Sequence, residues 1–229
     1  MYENEGFMSN YEITKKRVQK EFVKYDHSKM VEKFGLEQDE EYVYIDFLCR
    51  KYRIHKVEGI VEWVEIPETN SDVNAAGKIS ACLFDWSLAK EGNFHEVLTI
   101  FDVLCDSKED CHAAREFVSM QSMSSIKGSS ANLCGDSPFE KECKVFDKNC
   151  STLAAACEKL NGVKKGKGDV SYEIPVFDFL SIIVQFWESD DEFDASLQIL
   201  VDKNILQFMR YETMWYAVDH MLDRIKEEM

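Results

Sequence analysis

Eight cysteines stand in this chain, but none forms a Cys-x-x-Cys pair. Zinc ribbons, thioredoxin-like sites and ferredoxin-like cluster runs therefore have no local signature here. There is no Gly-x-Ser-x-Gly elbow and no Gly-x-Gly-x-x-Gly loop, so serine-hydrolase and dinucleotide fingerprints are missing as well. No window holds the roughly 20 apolar residues that a membrane helix needs. The opening run "MYENEGFMSNYEITKKRVQKEF" lacks the apolar core of a signal peptide. Basic residues are also in short supply, with 27 against 43 acids and a formal charge of -16. That field repels phosphate backbones and anionic lipid surfaces. The expectations are a cytoplasmic protein with reduced thiols and no nucleic-acid or membrane partner. A small ligand or a protein partner fits better. No cofactor is specified, and oligomeric state is not encoded in any readable way.

What is present is a globular chain. Its 229 residues are 45% hydrophobic, enough for a core without staples. Residues 9–34 read as one helix, with Tyr11, Val18, Phe22, Tyr25 and Met30 at helical spacing. The period then changes to two. Val43, Ile45 and Phe47, then Tyr52 and Ile54, then Val61 and Trp63 predict a β-meander over 42–66, ended by Pro67. Residues 68–78 read as a loop, and 79–92 fit strand or helix equally. A helical middle follows over 93–160. Asn93 is its N-cap and Phe94, Val97, Leu98, Phe101 and Leu104 its stripe. A short helix is expected around Arg115, Phe117 and Val118, then a Ser/Gly/Met-rich connection at 119–137. Ser137, Pro138 and Glu140 form a capping box. Ser151 opens the next helix, and Asn161-Gly162 closes it.

The last third, 170–229, reads as a β-hairpin plus a helix. "DVSYEIPVF" is an edge strand, because Pro175 cannot donate into a central ladder. "LSIIVQFW" is apolar on both faces, like a central strand. "ASLQILV" alternates. "YETMWYAVDHMLDRIKEEM" is amphipathic, with Met214, Trp215, Val218, Met221, Leu222 and Ile225 on one stripe. The fold class is α+β: a single domain of antiparallel sheet, or sheets, with helices on one face and the C-terminal helix covering the strand at 181–187.

Between the last two strands lies "FWESDDEFDA". Glu188, Asp190, Asp191, Glu192 and Asp194 stand between Trp187 and Phe193. Charge at such a place keeps a hairpin connection in water. Clustered oxygens would also suit a hard cation, with Asp191 and Glu192 as its ligands, although the EF-hand spacing is absent. Trp187, Glu188, Asp190, Asp191, Glu192 and Glu212 are the candidate ligand-binding residues, and no catalytic residue is assigned. Cys105, Cys111 and His112 have zinc-ligand chemistry at an unrecognised spacing, which a helix end followed by a helix start explains more simply. Lys164, Lys165 and Lys167 sit among glycines, but the run goes from helix to strand and lacks the Gly-Lys-Ser/Thr ending of a P-loop. Cys143, Cys150 and Cys157 recur every seven residues. On one helix, neighbours would stand roughly 10 Å apart, so packing is the better reading. His95, Thr99 and Asp102 share a helix face, as do Glu212, Tyr216 and His220; both sets read as surface polar groups.

"GDVSYEIPVF" and "VQFWESDDEFDASLQILVDKNILQFMRYETMWYAVDHML", preceded by "CEKLNG", resemble the bacterial family of domain of unknown function 3786. Gly168-Asp169, Trp187 with Glu192-Phe193, and Tyr211-Glu212 carry the likeness. "NFHEVLTIFDVL" and the strands around "FLCRKYRI" are similar too, so the resemblance takes in nearly the whole chain. It implies company with anaerobes and, in some members, fusion to a small cysteine-rich iron–sulfur domain. It supplies no catalytic residues. Three functions follow: a non-enzymatic binding or accessory module for a small cofactor or protein partner, a metal-assisted hydrolase using Glu188–Glu192, and a redox or iron–sulfur accessory protein.

Overall fold

The structure, a computed structural model, describes residues 9–66, 79–123 and 138–229. Pro67, the loop at 68–78, Cys134 and the Ser137 cap lie outside these residues. The chain forms two compact units, Met1–Asp46 with Arg50–Glu109 and Phe47–Cys49 with Asp110–Met229. The fold is α+β, built on two antiparallel five-stranded sheets. Among the described residues no helix is long and apolar enough to cross a membrane.

The first unit opens with two helices where one was expected, α1 (Asn10–Phe22) and α2 (His27–Phe34). The break has a local cause. The Asp26 carboxylate accepts the Ser28 N–H at 3.1 Å, so Asp26 starts a new helix as its N-cap. Tyr11 and Tyr25 are exposed, while Phe22 and Met30 are buried. The sheet runs β1 (Glu37–Gln38), β2 (Tyr42–Phe47), β3 (Arg50–His55), β4 (Val61–Glu65) and β5 (Lys90–Glu91), in sequence order. This is the expected meander with a two-residue strand added at each edge. Residues 81–83 and 86–88 are short 3₁₀ turns, which resolves the ambiguous stretch. α3 (Phe94–Phe101) starts at Asn93 with a full capping box and runs into a π-helical turn at Asp102–Asp106. Its Val97, Ile100 and Phe101 join Tyr52, Ile54 and Val61 in the core.

The second unit holds β6 (Phe117–Ser119), α4 (Glu140–Phe146), α5 (Cys150–Lys159), β7 (Val163–Lys164), β8 (Val170–Phe177), β9 (Leu180–Trp187), β10 (Ser196–Asp202), α6 (Ile205–Phe208) and α7 (Tyr211–Glu228). Its sheet order is β6-β10-β9-β8-β7. The apolar run of β9 is thus the central strand. Pro175 falls on β8 beyond the reach of β7, which pairs only with Tyr172 and Glu173. Phe186, Val184 and Ile182 of β9 and Leu197, Ile199 and Val201 of β10 share one buried face. α5 lies against β8 and α4 against β10, and Phe146 meets Phe186 edge-on. α7 packs against α5 and α6, burying Met214, Val218, Met221, Leu222 and Ile225.

Two local expectations change here. Residues 117–119 are a strand and not a helix, because Val118 pairs with Val201 across the sheet. α4 begins at Glu140, two residues after the proline, and α5 begins at Cys150 behind Asn149. The left-handed residue of the Asn161-Gly162 stop that ends α5 is Asn161, at φ 57°.

Candidate functional site

The hairpin β9–β10 closes on the pair Trp187 and Ser196, and the acidic turn lies between them. Asp190 organises the turn from within. Its carboxylate accepts the N–H groups of Glu192 and Phe193, each at 2.8 Å, and its own N–H donates to the Phe193 carbonyl at 2.9 Å. These backbone donors hold the Asp190 carboxyl below the usual aspartate range. The other end of the turn is tied down by neighbours. Ser189 donates its N–H and hydroxyl to Asp147, at 3.0 and 2.8 Å. The Glu188 N–H donates to Asp169 at 2.8 Å. Lys148 donates to the Ser189 carbonyl. Gly168, at φ 85°, makes this approach possible: a Cβ there would stand 2.7 Å from the Phe186 carbonyl oxygen.

The candidate carboxylates do not converge. Asp191, Glu192 and Asp194 are exposed, and Phe193 is 68% exposed, so it does not pin the hairpin as a core residue. Glu212 is exposed in the first turn of α7. Among the described residues no hydrogen bond or ion pair joins Glu212 to the turn, and no three His, Cys, Asp or Glu side chains are grouped to hold a metal. That statement covers Asp191 and Glu192, and also Cys111 and His112.

Trp187 has different surroundings. It borders a cleft of about 290 Å³ at the edge of the sheet. The cleft exists because β6 is short: it pairs with Leu200 to Asp202 only, while β9 pairs with β10 from Ser196 onward. Residues Ser196 to Ile199 form one side, Ser119, Met120 and Gln121 the other, and Phe139 joins Trp187 in the lining. Among the described residues, none that lines the cleft is charged. Phe139 is buried and stacks on Trp215 with centroids 6.0 Å apart. Burial pushes the Cys143 thiol up.

The remaining candidates resolve one by one. Thr99 and Asp102 are buried, so they are not the surface groups their spacing implied. His220 is buried beside Phe47, ring centroids 5.0 Å apart. Lys164, Lys165 and Lys167 are exposed, and Lys165 pairs with Glu173 at 2.6 Å. Cys143 and Cys157 sit on separate helices, both buried, and burial lifts the Cys157 thiol to about 12. Burial likewise puts the Cys105 thiol at about 12. Such thiols are packing groups at neutral pH.

The sequence profile of domain of unknown function 3786 (DUF3786) matches residues 90–224. The chain belongs to this family. No curated protein and no solved structure matches it. The DUF3786 span takes in the whole cleft and the acidic turn. It leaves out residues 1–89, so the likeness of the strands around "FLCRKYRI" lies outside the match.

Proposed function

We propose that this DUF3786 protein is a cytoplasmic, non-enzymatic binding or accessory module whose small ligand enters the cleft beside Trp187. One observation carries the reading. A cleft with no charged lining residue among those described, lined by a half-buried indole, a thioether and a second aromatic ring, opens where the edge strand stops short. The lining joins these groups to the neutral polar side chains of Ser119, Gln121, Ser196 and Gln198, so packing surface and orienting hydrogen-bond groups stand together as a small-molecule site needs. The metal-assisted hydrolase reading fits less well. The Asp190 carboxylate is engaged by its own turn, and Asp191 and Glu192 point their charge into water.

A thermal-shift screen of small molecules tests the proposal. A ligand that binds only the folded state raises the melting temperature with concentration. Compounds that stabilise the wild type should lose their effect on Ser196→Trp, which fills the cleft from an exposed position. If no compound stabilises the protein, or if stabilisation survives the filled cleft, the reading fails.

A further inference from the structure

From the chemistry of the same cleft, and resting on the binding reading above, we infer that it selects a flat, uncharged heterocyclic ring with amide-like edges and rejects the phosphorylated relatives of such a ring.

The face comes first. Trp187 is partly exposed and offers its indole as the π surface, while the buried Met120 and Phe139 close the cleft behind it with a thioether and a ring already stacked on Trp215. A planar ligand uses these groups better than a branched aliphatic one of the same volume. The edges come next. Gln121 and Gln198 are exposed at the cleft, and each carries both a donor and an acceptor. They are matched by ring carbonyls and ring N–H groups, and they leave a full charge without a counter-ion. The cleft is small, since about 290 Å³ is just under the roughly 300–1,000 Å³ typical of small-ligand sites, so it holds one ring system and not a larger ligand.

Charge then sets the selection. The acidic turn begins at the residue after Trp187 and ends just before β10, whose first residue, Ser196, lines the cleft. Asp191, Glu192 and Asp194 on it are exposed. Lys148, a cation at this turn, is engaged with the Ser189 carbonyl and faces Glu188 at 4.0 Å. A phosphate brought to the mouth meets the exposed carboxylates of a turn whose two ends adjoin the cleft, a repulsion that salt screens over a Debye length of ~8 Å. The same acids that do not assemble as ligands thus act as a filter.

Riboflavin and riboflavin monophosphate test this directly. They share one planar, amide-edged ring that is neutral at pH 7, and they differ by a phosphate. The readout is quenching of riboflavin fluorescence by the full-length protein. The expected result is saturable binding of riboflavin, with the monophosphate weaker by about tenfold at low salt and the gap closing as salt rises. Binding should disappear in Trp187→Ala and persist in Trp187→Phe. Gln198→Lys, at an exposed position, puts a cation in the cleft and should reverse the preference in favour of the monophosphate. That variant keeps the test valid if Trp187→Ala does not fold. Equal binding of the two probes, no binding of riboflavin, or binding indifferent to Trp187 and to Gln198→Lys would each overturn the inference. The binding reading itself survives such a result if the thermal-shift screen still finds aliphatic or charged ligands that Ser196→Trp abolishes. It falls with the inference only if the screen finds none.

Discussion

Glu96 and Asp190 are both acids at chain turns, and they could hardly be placed more differently. Glu96 lies in the first unit and is 1% exposed. Its carboxylate accepts the Asn93 N–H, the Tyr52 hydroxyl at 2.9 Å and an Arg50 guanidinium N–H at 3.4 Å, and Arg50 itself lies 3.6 Å over the Trp63 ring. Burial first, and then the Glu96 charge, hold the Tyr52 hydroxyl well above its usual range. Asp190 lies in the second unit among four other acids, in water. The second unit has its own counterpart of Glu96 in Asp202, buried at 2% exposure, which accepts the N–H groups of Ala114, Arg115 and Asn204 at 3.0, 2.7 and 2.8 Å. Crowded acids mark solvent, and solitary acids beside apolar runs mark the interior. The physical reason is self-repulsion: five carboxylates cannot share a low-dielectric site without a cation, whereas one can be fully hydrogen-bonded.

Replacing the buried acids should break this contrast most sharply. Glu96→Ala leaves Arg50, Tyr52 and the Asn93 N–H without their shared acceptor. It should cost ~3–5 kcal/mol in urea unfolding, and Glu96→Gln clearly less because the amide oxygen still accepts. Asp202→Ala orphans three backbone donors and should cost ~2–3 kcal/mol. If both changes fall within about 0.5 kcal/mol of wild type, the distinction between interior and surface acids has no energetic content.

Glu96 also shows where sequence reading stops. Asn93 is legible as a cap because its bond is local, and the strands and the last helix are legible because their periods are local. The strand at Phe117–Ser119 is not. Its three residues are too short to show a period, and its partner lies more than eighty positions later. The same holds for the cleft. Trp187 stands out in the sequence because of the acids beside it, yet the groups that make it a site are Met120, Gln121 and Phe139, which no spacing connects to it. Asp202 was equally hidden, since its three donors come from two separate segments. Charge density is visible in a sequence, but enclosure is a property of non-local contacts.

A backbone change at the edge of the acidic turn ranks next. Gly168→Ala forces a Cβ to 2.7 Å from a carbonyl oxygen at a left-handed φ, so ~1–3 kcal/mol of destabilisation is expected. The loss should be accompanied by weaker Trp187-dependent binding, because Gly168 sits beneath the Trp187 end of β9. Unchanged unfolding would mean that the turn is not held where it is described.

Asp190→Ala should destabilise by less, and its effect should depend on pH with a definite sign. The folded-state carboxyl titrates below the usual aspartate value, because two N–H groups donate to its charged form. Its contribution is therefore complete above about pH 4, the ordinary aspartate range, and is lost as the pH falls through the lower folded value. Wild type and Asp190→Ala should differ at pH 7 and converge in acid. A difference that grows on acidification would contradict the turn geometry.

The smallest effect sharpens the comparison furthest. Asp191→Asn with Glu192→Gln removes two exposed charges that hold nothing in place. Stability should stay within about 0.5 kcal/mol of wild type. If these acids filter anions at the cleft mouth, the same double variant should nonetheless narrow the gap between riboflavin and its monophosphate, and the narrowing should vanish at high salt. A change in ligand preference without a change in unfolding would separate the role of the solvated acids from that of Glu96 and Asp202, whose carboxylates are part of the fold itself. A large loss of stability would instead return Asp191 and Glu192 to the class of buried, engaged acids.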